Sequence, residues 1–232
     1  MKRIIGMMIS VFIIILLLSS CSSKAEVNIA SLNGSGENNE ESPDISIQSP
    51  MTLSNNDMLP INGQHQYLRL KMVKGTYYED WNPGAYMGTL WEGYYIIELA
   101  DELGNTIAQT DLSKIYDEPL LFNSQFQIEF GDYNNDGNID FTIGQYASSN
   151  GRDYKLFTLG KNGRIEELPI NGYSSLFISN TTGYYSTKLT EGNNGTFKIE
   201  YYDNSKGEYF EDAFEWNGKE FIKIESREIK GN

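Results

Sequence analysis

The chain predicts an all-β domain, an antiparallel meander of about a dozen short strands preceded by an apolar leader and a polar tether. Three observations carry that expectation. From Leu59 onward, apolar residues alternate with polar ones at period two and come largely from the aromatic and β-branched set. Four tetrapeptides rich in Gly and Asn, at 102–105, 160–163, 192–195 and 216–219, punctuate the alternation as hairpin turns. Sixteen tyrosines, eleven phenylalanines and three tryptophans supply the bulk of a sheet-built core. Only Leu112–Leu121 reads as a short helical turn, and Pro119 ends it because proline has no amide hydrogen to continue a helix.

At the amino-terminal end, Lys2 and Arg3 precede an apolar run from Ile4 to Leu18. That run is short for a spanning helix, which needs ~20 apolar residues, and has the build of a signal peptide. Leu18-Ser19-Ser20-Cys21 follows, and Cys21 is the single cysteine, which excludes an intramolecular disulfide. These four residues resemble the lipobox of bacterial lipoprotein precursors. The resemblance implies cleavage before Cys21, a lipid on its thiol, and a mature protein held on the extracytoplasmic face of a bacterial cell membrane. Residues 1–20 are then the signal peptide. Their removal takes two basic residues and no acids, so 16 basic residues face 32 acidic ones and the net charge moves from −14 to −16. A surface of that sign argues against nucleic acid, whose phosphates require a basic footprint.

Residues 21–58 are polar and poor in aromatics, typified by Asn33-Gly34-Ser35-Gly36-Glu37-Asn38. They bury too little apolar area to offset the entropy of ordering them, and read as a lipidated, flexible tether. Residues 59–232 form the domain. His65–Val73, Met87–Trp91 and Tyr94–Leu99 open it as strands, Phe126–Phe130 and Ile139–Ile143 flank an Asp-rich loop, and Tyr173–Ile178 adds another. A closed propeller needs at least four four-stranded blades, more than this strand count supplies. A sandwich, a partial barrel or an open propeller-like stack remain.

The Asp-rich loop runs Asp132-Tyr133-Asn134-Asn135-Asp136-Gly137-Asn138-Ile139-Asp140. Oxygen-bearing side chains fall at positions 1, 3, 5 and 9, with glycine at 6 for the tight turn. This spacing suits a hard cation bound by oxygens at ~2.3–2.6 Å. The expected side-chain ligands are Asp132, Asn134, Asp136 and Asp140, with the carbonyl of Asn138 as a fifth. An EF-hand would carry a bidentate Glu at position 12, where this chain has Ile143, and its flanks would be helices. Strand, loop and strand over Phe126–Tyr146 resemble a single calcium hairpin of the FG-GAP and VCBS repeats. The resemblance implies a structural calcium ion. The competing reading is an Asn/Asp/Gly-rich hairpin turn without metal.

Catalytic constellations are thin. His65 is the one histidine, there is no Gly-x-Ser-x-Gly, and one His with one Cys cannot build a typical zinc site. Acids are plentiful, and a carboxylate pair for glycoside hydrolysis would draw on Glu98, Glu129 or Glu215. Two functions follow from the sequence. The first is a lipid-anchored, calcium-stabilised module that binds a protein or glycan at the cell surface. The alternative is an exported glycan hydrolase with paired carboxylates.

Overall fold

In the computed structural model, residues 44–230 are described; 57% of them are strand and 4% helix. The first sheet has six strands: β1 (Ile45–Ile47), β2 (Met51–Asp57), β3 (Gln66–Asp80), β4 (Gly88–Asp101), β5 (Thr106–Asp111) and β6 (Leu120–Phe122). The second has five: β7 (Phe130–Gly131), β8 (Ile139–Ser148), β9 (Gly151–Leu159), β10 (Ile165–Leu168) and β11 (Leu176–Ile178). The third has four in sequential order: β12 (Thr190–Glu191), β13 (Thr196–Asp203), β14 (Glu208–Trp216) and β15 (Phe221–Ile229). Every ladder is antiparallel.

The sheets stack as three layers because the middle one is apolar on both faces. Along β8 and β9, Phe141, Ile143 and Phe157 join a core with Leu68, Leu70, Tyr95 and Ile97 of the first sheet. Tyr154 and Leu156 point the other way, into a core with Phe197, Phe214 and Phe221 of the third. This is the period-two rule applied twice, since residues one apart on a strand serve opposite cores. A strand covered on both faces is buried along its length, as residues 140–144 are, although Asp140 and Thr142 on one of those faces are polar. Among the architectures left open by the sequence, the result is an open stack of antiparallel sheets.

All four turns expected at 102–105, 160–163, 192–195 and 216–219 close hairpins, joining β4 to β5, β9 to β10, β12 to β13 and β14 to β15. Gly104, Gly163, Gly195 and Gly218 each take a positive φ there, which glycine adopts without steric cost. The expected helical turn is a 3-10 turn at Leu112–Lys114, its amide end capped by the Asp111 carboxylate, which accepts from Ser113 N at 3.0 Å.

Two expectations need correction. The domain begins earlier than residue 59: β1 and β2 both pair with β3, and Leu53 and Met58 are buried in the first core. Few aromatics were needed there because one strand face buries only Leu53 and small polar groups, Ser54 and Asn56. Residues 21–43, with Cys21, lie outside the described residues. Secondly, Phe126–Glu129 is not strand. Two of its amides are met by side chains instead: Asn56 Oδ1 accepts from Ile128 N at 2.8 Å, and Ser186 Oγ accepts from Glu129 N at 3.0 Å; the Phe126 amide donates to Leu53 O at 3.4 Å. Backbone polar groups are thus satisfied without a ladder.

Candidate metal loop and its surroundings

The loop 132–140 joins β7 to β8 at the rim of the stack, where the middle sheet meets its neighbours. Tyr133 anchors it from below: the ring is wholly buried in the second core, edge-on to Phe197, and its hydroxyl accepts from Leu189 N at 3.3 Å. From the side, Gly195 of the β12–β13 turn presses on Asn134. A Cβ at Gly195 would stand 2.6 Å from the Asn134 carbonyl oxygen, so glycine is required there for contact as well as for φ.

Within the loop the side chains hold the backbone. Asp132 accepts from Asp136 N at 3.1 Å through one oxygen and from Gly137 N at 3.0 Å through the other. Asn134 Oδ1 accepts from Asp136 N at 3.1 Å, and its amide donates to Asp136 at 3.0 Å. Asp136 accepts from Asn138 N at 2.8 Å, and Asn138 Oδ1 accepts from Lys161 N at 3.2 Å across the sheet. Asn135 and Gly137 supply the two positive φ values, 56° and 76°, that turn the chain back. Asp132, Asn134, Asp136 and Asn138 therefore lie together in one hydrogen-bonded turn.

Asp140 differs from the others. It is fully buried; one oxygen accepts from Tyr133 N at 2.9 Å and Asn134 N at 3.4 Å, while Oδ1 has no partner. Its cross-strand neighbour Thr158 sets a buried hydroxyl beside this carboxylate, but the two do not meet in ordinary hydrogen-bond geometry. Burial pushes the Asp140 carboxyl up to about 6; the Thr158 hydroxyl and the Tyr133 and Asn134 amides oppose that rise, and the nearby Asp136 charge adds to it. A buried carboxylate oxygen left without a donor is costly, and a cation is one means of satisfying it.

The donor set, carboxylate and amide oxygens on one loop, has the chemistry calcium prefers. The carboxylates are not yet gathered, however: among the described residues no group of three or more His, Cys, Asp or Glu stands ready to hold an ion. The loop closes on its own amides, and drawing Asp132, Asp136 and Asp140 to one point requires side-chain rotation.

The loop borders a crevice on each side. Between the first and second sheets, Gly137 and Asn138 meet Ile61, Leu99 and Ile107 around about 490 Å³. Between the second and third, Asn134 and Asp136 face Trp216, Arg164 and Lys219 around about 540 Å³. Sequence reading missed these partners because they come from turns distant in the chain. Strand register, which pairs Ile139 with Leu159 and so sets the 160–163 turn beside the loop, is the signal that would have found Lys161.

The acids considered for hydrolysis lie on separate elements: Glu98 on β4, Glu129 before β7 and Glu215 on β14. Glu98 is buried yet fully engaged. Burial alone would raise its carboxyl, but hydrogen bonds from Thr106 at 2.7 Å and Lys71 at 3.1 and 3.2 Å, with the Lys71 and Arg69 charges, hold it below its ordinary value. A carboxylate kept ionised in this way is built to pair rather than to donate a proton. Glu129, Glu215 and His65 are exposed. No helix among the described residues is long and apolar enough to cross a membrane. No known protein family matches the chain, and neither the curated proteins nor the solved structures yield a match.

Proposed function

We propose that this protein is a lipid-anchored, extracytoplasmic β-domain, stabilised by calcium and serving as a non-catalytic binding or interaction module. The observation that carries the calcium reading is Asp140. Its buried oxygen lacks a donor at the ninth position of a loop whose first, third and fifth positions are also oxygen ligands. Asp132, Asn134, Asp136 and Asp140 would hold the ion by their side chains, with the Asn138 carbonyl beside them. Bound there, calcium would neutralise three carboxylates and lock the loop at the mouths of both crevices. The anchor rests on Leu18–Cys21, and the binding role on the two crevices together with a Glu98 that is committed to pairing.

Calorimetric titration of the domain with calcium, run beside Asp136→Ala, tests the site. Without the bidentate Glu of an EF-hand the affinity should be modest, about 10⁻⁴–10⁻³ M as in extracellular modules. At free calcium of ten dissociation constants, linkage adds roughly 1.4 kcal/mol of stability, which should vanish in the mutant. Equal heats from both proteins, or none up to several millimolar calcium, would return the loop to an ordinary hairpin turn.

A further inference from the structure

The crevice between the second and third sheets, about 540 Å³, takes one exposed lysine from each of them. Lys161 lies on the β9–β10 turn and Lys219 on the β14–β15 turn. Among the described residues neither forms an ion pair, in a chain where acids outnumber bases 32 to 18. The Lys161 ammonium reaches over the metal loop: a Cβ at Gly137 would stand 3.2 Å from its Nζ. Trp216 packs on Phe221 with ring centres 4.9 Å apart and gives the third-sheet wall a half-buried apolar surface.

The acids of the same crevice are already engaged. Glu167 accepts from Lys155 Nζ at 2.9 Å, and Glu166 stands 3.8 Å from Arg164. Asp136 accepts from Asn138 N at 2.8 Å and from the Asn134 side-chain amide at 3.0 Å. The uncommitted groups are therefore two ammoniums, each with three N–H donors and no acceptor. They approach from different walls, so an anion that serves both needs oxygens pointing in several directions.

From this placement we infer that the crevice binds a phosphate ester, its phosphate accepting from Lys161 and Lys219 and its organic part lying against Trp216. A tetrahedral phosphate presents oxygens to both walls, whereas the two oxygens of a carboxylate share one plane and suit a single planar fork. One phosphate fits better than a polyanion, because a chain of net charge −14 repels a run of negative charges. The inference rests on the reading of the protein as a calcium-stabilised binding module and names its ligand class. Asp136 belongs to the loop and also lines the crevice, so its charge opposes a phosphate until an ion neutralises it. Calcium takes about 6–8 oxygens, more than the loop supplies, which leaves room for a phosphate oxygen on the ion. Calcium and ester should then tighten each other's binding by the same factor.

The test is calorimetric titration of the protein, in calcium and in chelator, with two soluble esters. Glycerol 3-phosphate is a monoester, and glycerophosphoglycerol is a diester of the kind lipid headgroups carry; sodium acetate and glycerol are the controls. Lys161→Met and Lys219→Met alter exposed side chains, as does Lys114→Met outside the crevice, and melting curves establish that all three variants fold. At least one ester should bind while neither control does, and the tighter of the two tells a free phosphate compound from a headgroup. Each crevice variant should weaken that binding roughly fivefold, and Lys114→Met should leave it unchanged. No binding of either ester up to several millimolar, equal binding of acetate, unchanged affinity in Lys161→Met and Lys219→Met, or an equal loss in Lys114→Met overturns the inference. Heat from calcium without heat from either ester would do so while leaving the calcium reading intact. Lysine-dependent binding that is the same in calcium and in chelator supports the phosphate site and counts against the calcium reading, so the two failures are distinguishable.

Discussion

Among single residues, the positions the sequence marked and those it hid differ by one physical property. Asp132, Asn134, Asp136 and Asp140 were legible because an oxygen-rich loop is local, and its spacing lies in nine consecutive residues. That Asp140 is buried with a free oxygen was not legible, because its burial depends on the tertiary fold and not on the loop spacing. Glu98 illustrates the same limit. Read from sequence it was a candidate acid on a strand; in the fold it is the centre of a cluster with Lys71, Arg69 and Thr106. Lys71→Met would leave Glu98 buried with a weaker partner, since Arg69 stands off at 3.7 Å. The expected loss at neutral pH is on the order of 2 kcal/mol, measured by denaturant unfolding. Its pH course has a definite sign. The lowered carboxyl contributes stability above its unfolded value of 4.5, and that contribution disappears as pH falls through the lower folded value. The deficit of the mutant should therefore be full at neutrality, shrink as pH drops below 4.5, and be lost once pH passes the lower folded value, where Glu98 is protonated in both proteins.

At the level of elements, turns were legible and short polar strands were not. Asn-Gly and Gly-Asn pairs dictate backbone conformation through glycine, so the β4–β5, β9–β10, β12–β13 and β14–β15 hairpins stood out. The strand β2, Met51-Thr52-Leu53-Ser54-Asn55-Asn56-Asp57, has asparagines where a strand favours branched or aromatic residues. Tertiary contacts override that propensity. Asn56 donates to Leu68 O at 2.9 Å and to Ser54 Oγ at 2.9 Å while accepting from Ile128 N, so one buried amide ties three segments. A chain begun at Asp44 should thus melt cooperatively with a strand-dominated far-ultraviolet spectrum. One begun at Leu59 loses the Leu53 side chain, worth ~2–5 kcal/mol in a core, along with the Asn56 bonds. It should melt far lower or not fold. Equal melting midpoints for the two chains would show that β2 is dispensable.

On the scale of the whole molecule, the three-layer stack sets the aromatic wealth of the chain to two cores that share the middle sheet. The tyrosines divide accordingly, with Tyr95, Tyr133, Tyr154 and Tyr185 buried and Tyr94, Tyr173 and Tyr184 exposed. If Cys21 carries lipid, Cys21→Ala should appear as soluble protein or uncleaved precursor on cell fractionation. A mutant that still matured and took up labelled fatty acid would sink the anchor. The order of strands in the first sheet then acquires a mechanical meaning. The strand nearest the leader, β1, is joined to β3 by only three residue pairs, Ile45–Tyr77, Ser46–Thr76 and Ile47–Gly75, and β2 follows it on the same strand. Were the leader anchored and a partner captured, tension would enter the fold at β1 and peel those three pairs first, before the cores felt the load. Such a sheet edge would work as a shock absorber, yielding at low force and re-forming when the pull relaxed.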